Sequence, residues 1–464
     1  MTAVNKILLV LVVAFSFFGL GIADLCVKGS KMMEGNSYCQ EVKSVKYMNV
    51  GKHGGVYKDV IAMDSSGTCD KKLNHFSGSL TPFNEELSVH LRGPIAVKQF
   101  AAYTLEKASM SKRESETHHH HHNHKAAKKV DNRHNAKKDM VIATIDGLVQ
   151  SWENNWFGAD ATIAPGTTLV TGTKAADDIT TTTTTTDLAT TSTTTCIVSE
   201  ASSANQQTPT SANTPAGAVA DNKFENSNAK SKNAYSRTSY YDSVSQTADN
   251  IVFLGNHGGQ GSGVFDYKFG SSLSYVNSEG TSGSTSPQVL ADTIIPSGNE
   301  IAIMTGEECK THNCGYSRPG SVAYRGFDGS DKIFFIEFGM PSDGKTGFEG
   351  DQPAVWLLNA KIPRTQQYGG CSCWPSCGEI DIAECLSVGS HYMKSTIHAD
   401  ASGGDSDYFN RPVIGTTTIV TIFRKDEIYI GIVPNQKFPD KLTSNDIDKM
   451  INANTWSESD FTIA

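Results

Sequence analysis

Residues 377–385 read CGEIDIAEC, with Glu379, Asp381 and Glu384 set among Ile380, Ile382 and Ala383. The β-branched residues suit a buried strand and the acids do not. Side chains alternate faces along a strand, so Glu379 and Asp381 share one face and the two isoleucines the other. Glu384 would fall on the wrong face of a regular strand. One extra residue in a bulge near Ala383 returns it to the first. Three acids on one surface repel, which raises at least one pKa and leaves a protonated carboxyl beside an ionised one. Cleavage of a glycosidic bond needs that pairing. With the bulge the outer Cα atoms lie about 13 Å apart, and each Glu leans roughly 3.5–4 Å along the strand, leaving carboxyl groups ~5–6 Å apart. That is nearer the ~5–5.5 Å of a retaining glycosidase than the ~6.5–9.5 Å of an inverting one. A hard cation such as calcium would draw the same oxygens together, and the triplet alone leaves that alternative open.

A strand of this kind needs a sheet around it. Between residues 236 and 464, β-rich runs recur at 251–254, 273–276, 300–304, 332–338, 354–358, 379–382, 394–398, 416–423 and 427–433, separated by Gly, Asn and Ser. Residues 444–451 are the best helix candidate, and a short one. Many short strands at turn spacing indicate a β-sandwich or jelly roll. Residues 24–105 read as a small β-rich N-terminal domain that closes with LRGPIAVKQF, a strand after a turn.

Ahead of it, residues 1–23 form a secretory signal: Lys6, an apolar run over 7–18, and Gly21-Ile22-Ala23 as the cleavage site. The mature chain is therefore expected outside the cell, without a membrane anchor. Residues 106–140 form a basic, His-rich linker, with Lys128-Lys129 and Lys137-Lys138 as candidate processing sites. An apolar island at 141–158 has no assignment. Residues 159–235, with seven consecutive threonines at 180–186, read as a disordered O-glycosylated linker. Ten cysteines in a secreted chain imply disulfides, Cys309 with Cys314 as a local loop and Cys385 as a bridge partner; zinc is the alternative for Cys371, Cys373 and Cys377. Residues 236–464 carry 16 basic against 27 acidic side chains, which disfavours a nucleic-acid partner and suits a neutral polymer.

The order of motifs is more specific. KIFFIEFGMP is followed by QPAVWLL, then WP and GEIDIAE, then STIH. This order resembles family 16 glycoside hydrolases of the bulged β-1,3-glucanase branch. The phrase WLLNAKIPRTQQYGGCSCWPSCGEIDIAE, with LRGPIAVKQFAAY, is similar to the fungal target-of-SBF cell-wall glycosyl hydrolase-like family. The resemblance implies an all-β fold with a concanavalin-like β-jelly-roll catalytic domain and a sugar groove on one sheet. It implies Glu379 as nucleophile, Asp381 as its assistant and Glu384 as acid/base, acting on cell-wall β-1,3-glucan with no cofactor. Trp374, next to Pro375, is expected to stack a sugar ring in the groove. For Trp356 stacking and core packing both fit, and for His398 a place at the acid end and a structural hydrogen bond both fit. The expected function is a secreted endo-β-1,3-glucanase, hydrolase or transglycosylase. The alternatives are a wall-bound β-glucan-binding or structural protein with little turnover, and a calcium-dependent lectin.

Overall fold

The computed structural model describes residues 29–106, 140–145, 148–153, 234–309, 314–404 and 406–463. The expected signal at 1–23 and nearly all of both expected linkers lie outside the described residues. Of the unassigned island, Met140–Ile145 and Leu148–Glu153 pair as an antiparallel hairpin.

Alternation of apolar and polar residues builds two large sheets with one core between them. In Leu87–Arg92, the residues Leu87, Val89 and Leu91 enter that core, which leaves Ser88, His90 and Arg92 on the outer face. Ala354–Asn359 divides in the same way, with Val355 and Leu357 inward and Ala354, Trp356 and Leu358 outward. These strands belong to a ten-stranded sheet. Its central order is Ile251–Gly255, Glu300–Thr305, Leu87–Arg92, Ala354–Asn359, Glu379–Glu384, Tyr392–His398. The nine-stranded partner runs through Ala234–Asp242, Ala96–Leu105, Lys332–Gly339, Thr417–Arg424, Glu427–Val433 and Ser44–Met48, and contributes Phe100, Phe334, Ile336, Ile419 and Ile430 to the shared core. The fold is all-β. The helix Ser444–Ala453, close to the expected 444–451, starts at a Thr443/Asp446 capping box and lays Ile447 and Met450 on the outer face of the nine-stranded sheet. No helix among the described residues is long and apolar enough to cross a membrane.

The expectation of a separate small domain at 24–105 is corrected by this topology. Leu87–Arg92 lies between Glu300–Thr305 and Ala354–Asn359, and Ala96–Leu105 lies between Ala234–Asp242 and Lys332–Gly339. Each strand is central in its sheet and carries large apolar side chains, so neither could be buried without the C-terminal half. The boundary drawn at 236 therefore cuts through one sandwich made of both ends of the chain. Short runs show where strands are, but not which distant strand each one joins.

Disulfides reinforce the joint. Cys69–Cys371 ties the hairpin of Gly55–Met63 and Cys69–Phe76 to the segment preceding the acid strand, and Cys373–Cys377 closes a small loop in that segment. Cys309–Cys314 forms as expected. Cys385 does not bridge. As alternation requires, it points away from the acids into the core, where it is a free thiol whose pKa burial pushes up to about 12.

Candidate active site

The acid strand Glu379–Glu384 carries its bulge one residue earlier than expected. Against Ala354–Asn359, Glu384 faces Ala354, Ala383 faces Val355 and Asp381 faces Trp356, which leaves Ile382 as the extra residue. The pairing with Tyr392–His398 also slips between Asp381 and Glu384. Ile382 and Ala383 consequently both enter the core, and Glu384 returns to the face that holds Glu379 and Asp381. The chain enters the strand through Gly378, at φ +105°, where a side chain would meet the Phe83 ring at 2.7 Å. Glycine is needed there to aim Glu379.

Two neighbours expected from sequence join the acids. His398 lies opposite Glu379, and its Nε2 donates to Asp381 Oδ2 at 3.1 Å. The Trp374 indole N–H donates to Glu379 Oε2, its ring centroid 6.4 Å from that of His398 and its side chain 40% exposed. Trp374 thus combines an exposed ring with a hydrogen bond to the acid. Trp356 differs. It stands on the same face but is only 5% exposed, stacked on His90 at 5.3 Å with the Arg92 guanidinium 5.9 Å from its ring. Packing against Tyr57, Ile362 and Cys373 covers it further, so it forms the floor of the site.

Electrostatics follow from this burial. Desolvation, then the Asp381 charge, hold Glu379 well above the ordinary carboxylate range, against the pull of His398 and the Trp374 hydrogen bond. Glu384 is raised by the same two causes and pulled back by Arg92. Glu379 and Glu384 therefore both resist losing a proton, and the proton retained belongs to the two together. Burial alone would lower His398, but its bond to Asp381 and the surrounding acids outweigh this and lift it from 6.5 to about 9. At neutral pH His398 is thus an imidazolium.

Because its folded value is raised, the His398–Asp381 pair contributes its full stabilisation below the unfolded value of 6.5 and loses it as pH rises through about 9. His398→Gln is expected to flatten that alkaline loss, read as the difference between wild-type and variant melting curves across this window. It should also lower kcat about 10²-fold, since Asp381 loses its holder and the acids their alignment.

Four residues that the sequence reading did not single out complete the face. Arg92 Nη2 donates to Glu384 Oε1 at 2.9 Å. Glu300 accepts from the Tyr368 hydroxyl through both oxygens, at 2.7 and 2.6 Å, and burial followed by the Glu349 charge pushes it up to about 8. Glu349, itself raised by burial, adds its charge to those that act on Arg92. The signal for Arg92 was present in LSVHLR, where each polar residue follows an apolar one and a cation ends the outward row. Glu300 lies far from the acid strand in sequence, and Tyr368, though only eleven residues before Glu379, sits in an irregular Gly- and Cys-rich stretch; neither carried such a signal.

Glu379, Asp381 and His398 offer ligand atoms within 4.8 Å of one another. A cation there would first have to displace the proton shared by His398 and Asp381, which fits the set poorly for a calcium site.

Residues 233–450 match the family model described as Cell wall protein YJL171C/Tos1, C-terminal, and residues 43–105 the model described as Cell wall protein YJL171C/Tos1, N-terminal. A Candida albicans protein named probable circularly permuted 1,3-beta-glucanase TOS1 is 42% identical over 421 residues, 87% of this chain and 88% of its own. The protein of the same name from Saccharomyces cerevisiae is 38% identical over 423 residues, 89% of this chain and 90% of its own. A probable circularly permuted 1,3-beta-glucanase of Schizosaccharomyces pombe is 33% identical, with 97% and 98% covered. No solved structure matches the chain. The two family segments coincide with the two stretches woven into one sandwich, and relatives align along nearly the whole length: the chain belongs to the Tos1 family of cell wall proteins.

Proposed function

We propose that the protein is a secreted cell-wall enzyme that cleaves β-1,3-glucan internally by a retaining double displacement, as a hydrolase or a transglycosylase. The relatives' names support the substrate, and the observation that carries the reading is the bulge at Ile382, which brings Glu384 to the face of Glu379 and Asp381. In the first step Glu379 attacks the anomeric carbon and the glycosidic C–O bond breaks. The leaving oxygen takes its proton from Glu384. In the second, Glu384 removes a proton from water or a sugar hydroxyl, which attacks the same carbon and frees Glu379. The Trp374 N–H holds one oxygen of Glu379 and leaves the other for attack, and Asp381, fixed by His398, orients the nucleophile. The exposed Trp374 ring offers a sugar face a stacking surface. We read the interleaving of both chain ends as the permutation named in the relatives, applied to a family 16 jelly roll.

Product analysis on defined β-1,3-gluco-oligosaccharides tests this. Mid-chain cleavage with the β-anomer released first, or longer transfer products, is the expected result. First release of the α-anomer would overturn the retaining mechanism. Normal glucan binding without turnover, and without an adduct from a mechanism-based β-glucoside, would select the wall-bound binding protein instead.

A further inference from the structure

Arg92, Glu300 and Glu384 come from three distant parts of the chain and meet in one row across the sheet. Glu300 is paired with Arg92, Arg92 with Ala354, Ala354 with Glu384, and Glu384 with Lys394. The row alternates acid and base, interrupted by Ala354 alone. Its methyl group is too small to block the guanidinium, which reaches over it to Glu384. A second bond, from Arg92 Nε to the Gln352 carbonyl at 2.8 Å, fixes the plane of the guanidinium. On the far side stands Glu300, held by Tyr368, and the Glu349 charge also acts on the guanidinium. Lys394 donates to the Ser37 carbonyl at 3.1 Å and lies 5.6 Å from the Tyr38 ring.

We propose that Arg92 is the positioning residue of Glu384, holding its carboxyl in place and stabilising the carboxylate left after proton donation, and that Glu300 and Glu349 compete for the same guanidinium. The proposal rests on the reading of Glu384 as acid/base. It gives residues 44–105 a part in the chemistry as well as in the fold. Burial makes Glu384 a reluctant acid, and an ion pair formed as the proton leaves offsets this. The charged and titratable groups that face Glu384 are Asp381 and Glu379 on its own strand, His398 and Lys394 on the next, Arg92 across Ala354, Glu300 and Tyr368 beyond Arg92, and Glu349 through its charge on Arg92.

The test is the pH profile of kcat/KM for wild type, Arg92→Gln, Arg92→Lys and Glu300→Gln. In Arg92→Gln the alkaline limb, which reports the acid, should move up by about one unit and kcat fall about 10²-fold with KM little changed. Arg92→Lys should recover part of both. In Glu300→Gln the limb should move down only above about pH 8, where the ionised Glu300 carboxylate draws on Arg92. A folded Arg92→Gln whose limb stays in place, or whose loss lies in KM alone, overturns the proposal. If Arg92→Gln does not fold, an unmoved limb in Arg92→Lys does so. A carbon-13 titration of Glu384 in wild type and variants reads the coupling without turnover. An inactive wild type in which this titration still shifts would sink the proposed function and leave the pairing standing.

Discussion

Glu379→Gln is expected to abolish turnover and at the same time make the protein more stable at neutral pH. Without the nucleophile no glycosyl-enzyme forms, and the loss should be about 10⁴-fold or more. The gain in stability has a separate origin. Glu379 opens the strand, between Gly378 and the buried Ile380, and desolvation followed by the Asp381 charge raise its pKa. A carboxyl raised in the fold costs stability as pH climbs above its unfolded value of 4.5, because the folded state resists giving up the proton. Glutamine is neutral and retains an oxygen for the Trp374 N–H. The melting temperature at pH 7 should rise by about 2 °C or more, and the difference should vanish near pH 4. Scanning fluorimetry at both pH values checks this. A variant less stable than wild type at pH 7 would show that the acid is not held under strain.

Removing residues 24–105 should leave no folded protein. Cut at the boundary the sequence suggested, residues 236–464 would be missing a central strand from each sheet. Leu87, Val89, Leu91, Val97, Phe100 and Tyr103 are all buried. At roughly 2 kcal/mol for each such side chain their loss alone is about 12 kcal/mol, comparable with the whole stability of a domain at about 5–15 kcal/mol. The strands on either side would also lose their hydrogen-bond partners. Expression of 234–464 alone is expected to give aggregate, with the sheet signal and the thermal transition recovered when residues 24–106 are co-expressed. A soluble 234–464 fragment with a cooperative melt would refute the interleaved fold.

The parts of this molecule legible in sequence are local ones. Strand positions follow from alternation, and 427–433 was read to the residue as Glu427–Val433. The acid triplet and its bulge were legible because the spacing of three carboxylates allows one geometry that puts them together, and the extra residue fell one position from where it was expected. The partner of each strand was not legible. Nothing in LRGPIAVKQF says that its two halves enter opposite sheets among strands more than a hundred residues away. Arg92 escaped notice for that reason, since its link to Glu384 exists only once Leu87–Arg92 lies one strand from the acids. Trp356 shows a second limit. Its face was predictable by alternation, but its burial depends on a covering of Tyr57, Ile362 and Cys373 that no local pattern reveals.

Leu105 and Tyr235 are paired neighbours at the end of their strands. The two halves of the sandwich are thus joined at adjacent points of one sheet, whatever the length of sequence between them. The entropy of closing a chain between two such points grows so slowly that doubling its length costs only about 0.6 kcal/mol. Insertions and deletions between positions 106 and 234 are therefore expected to leave the two sheets that hold the acids unchanged.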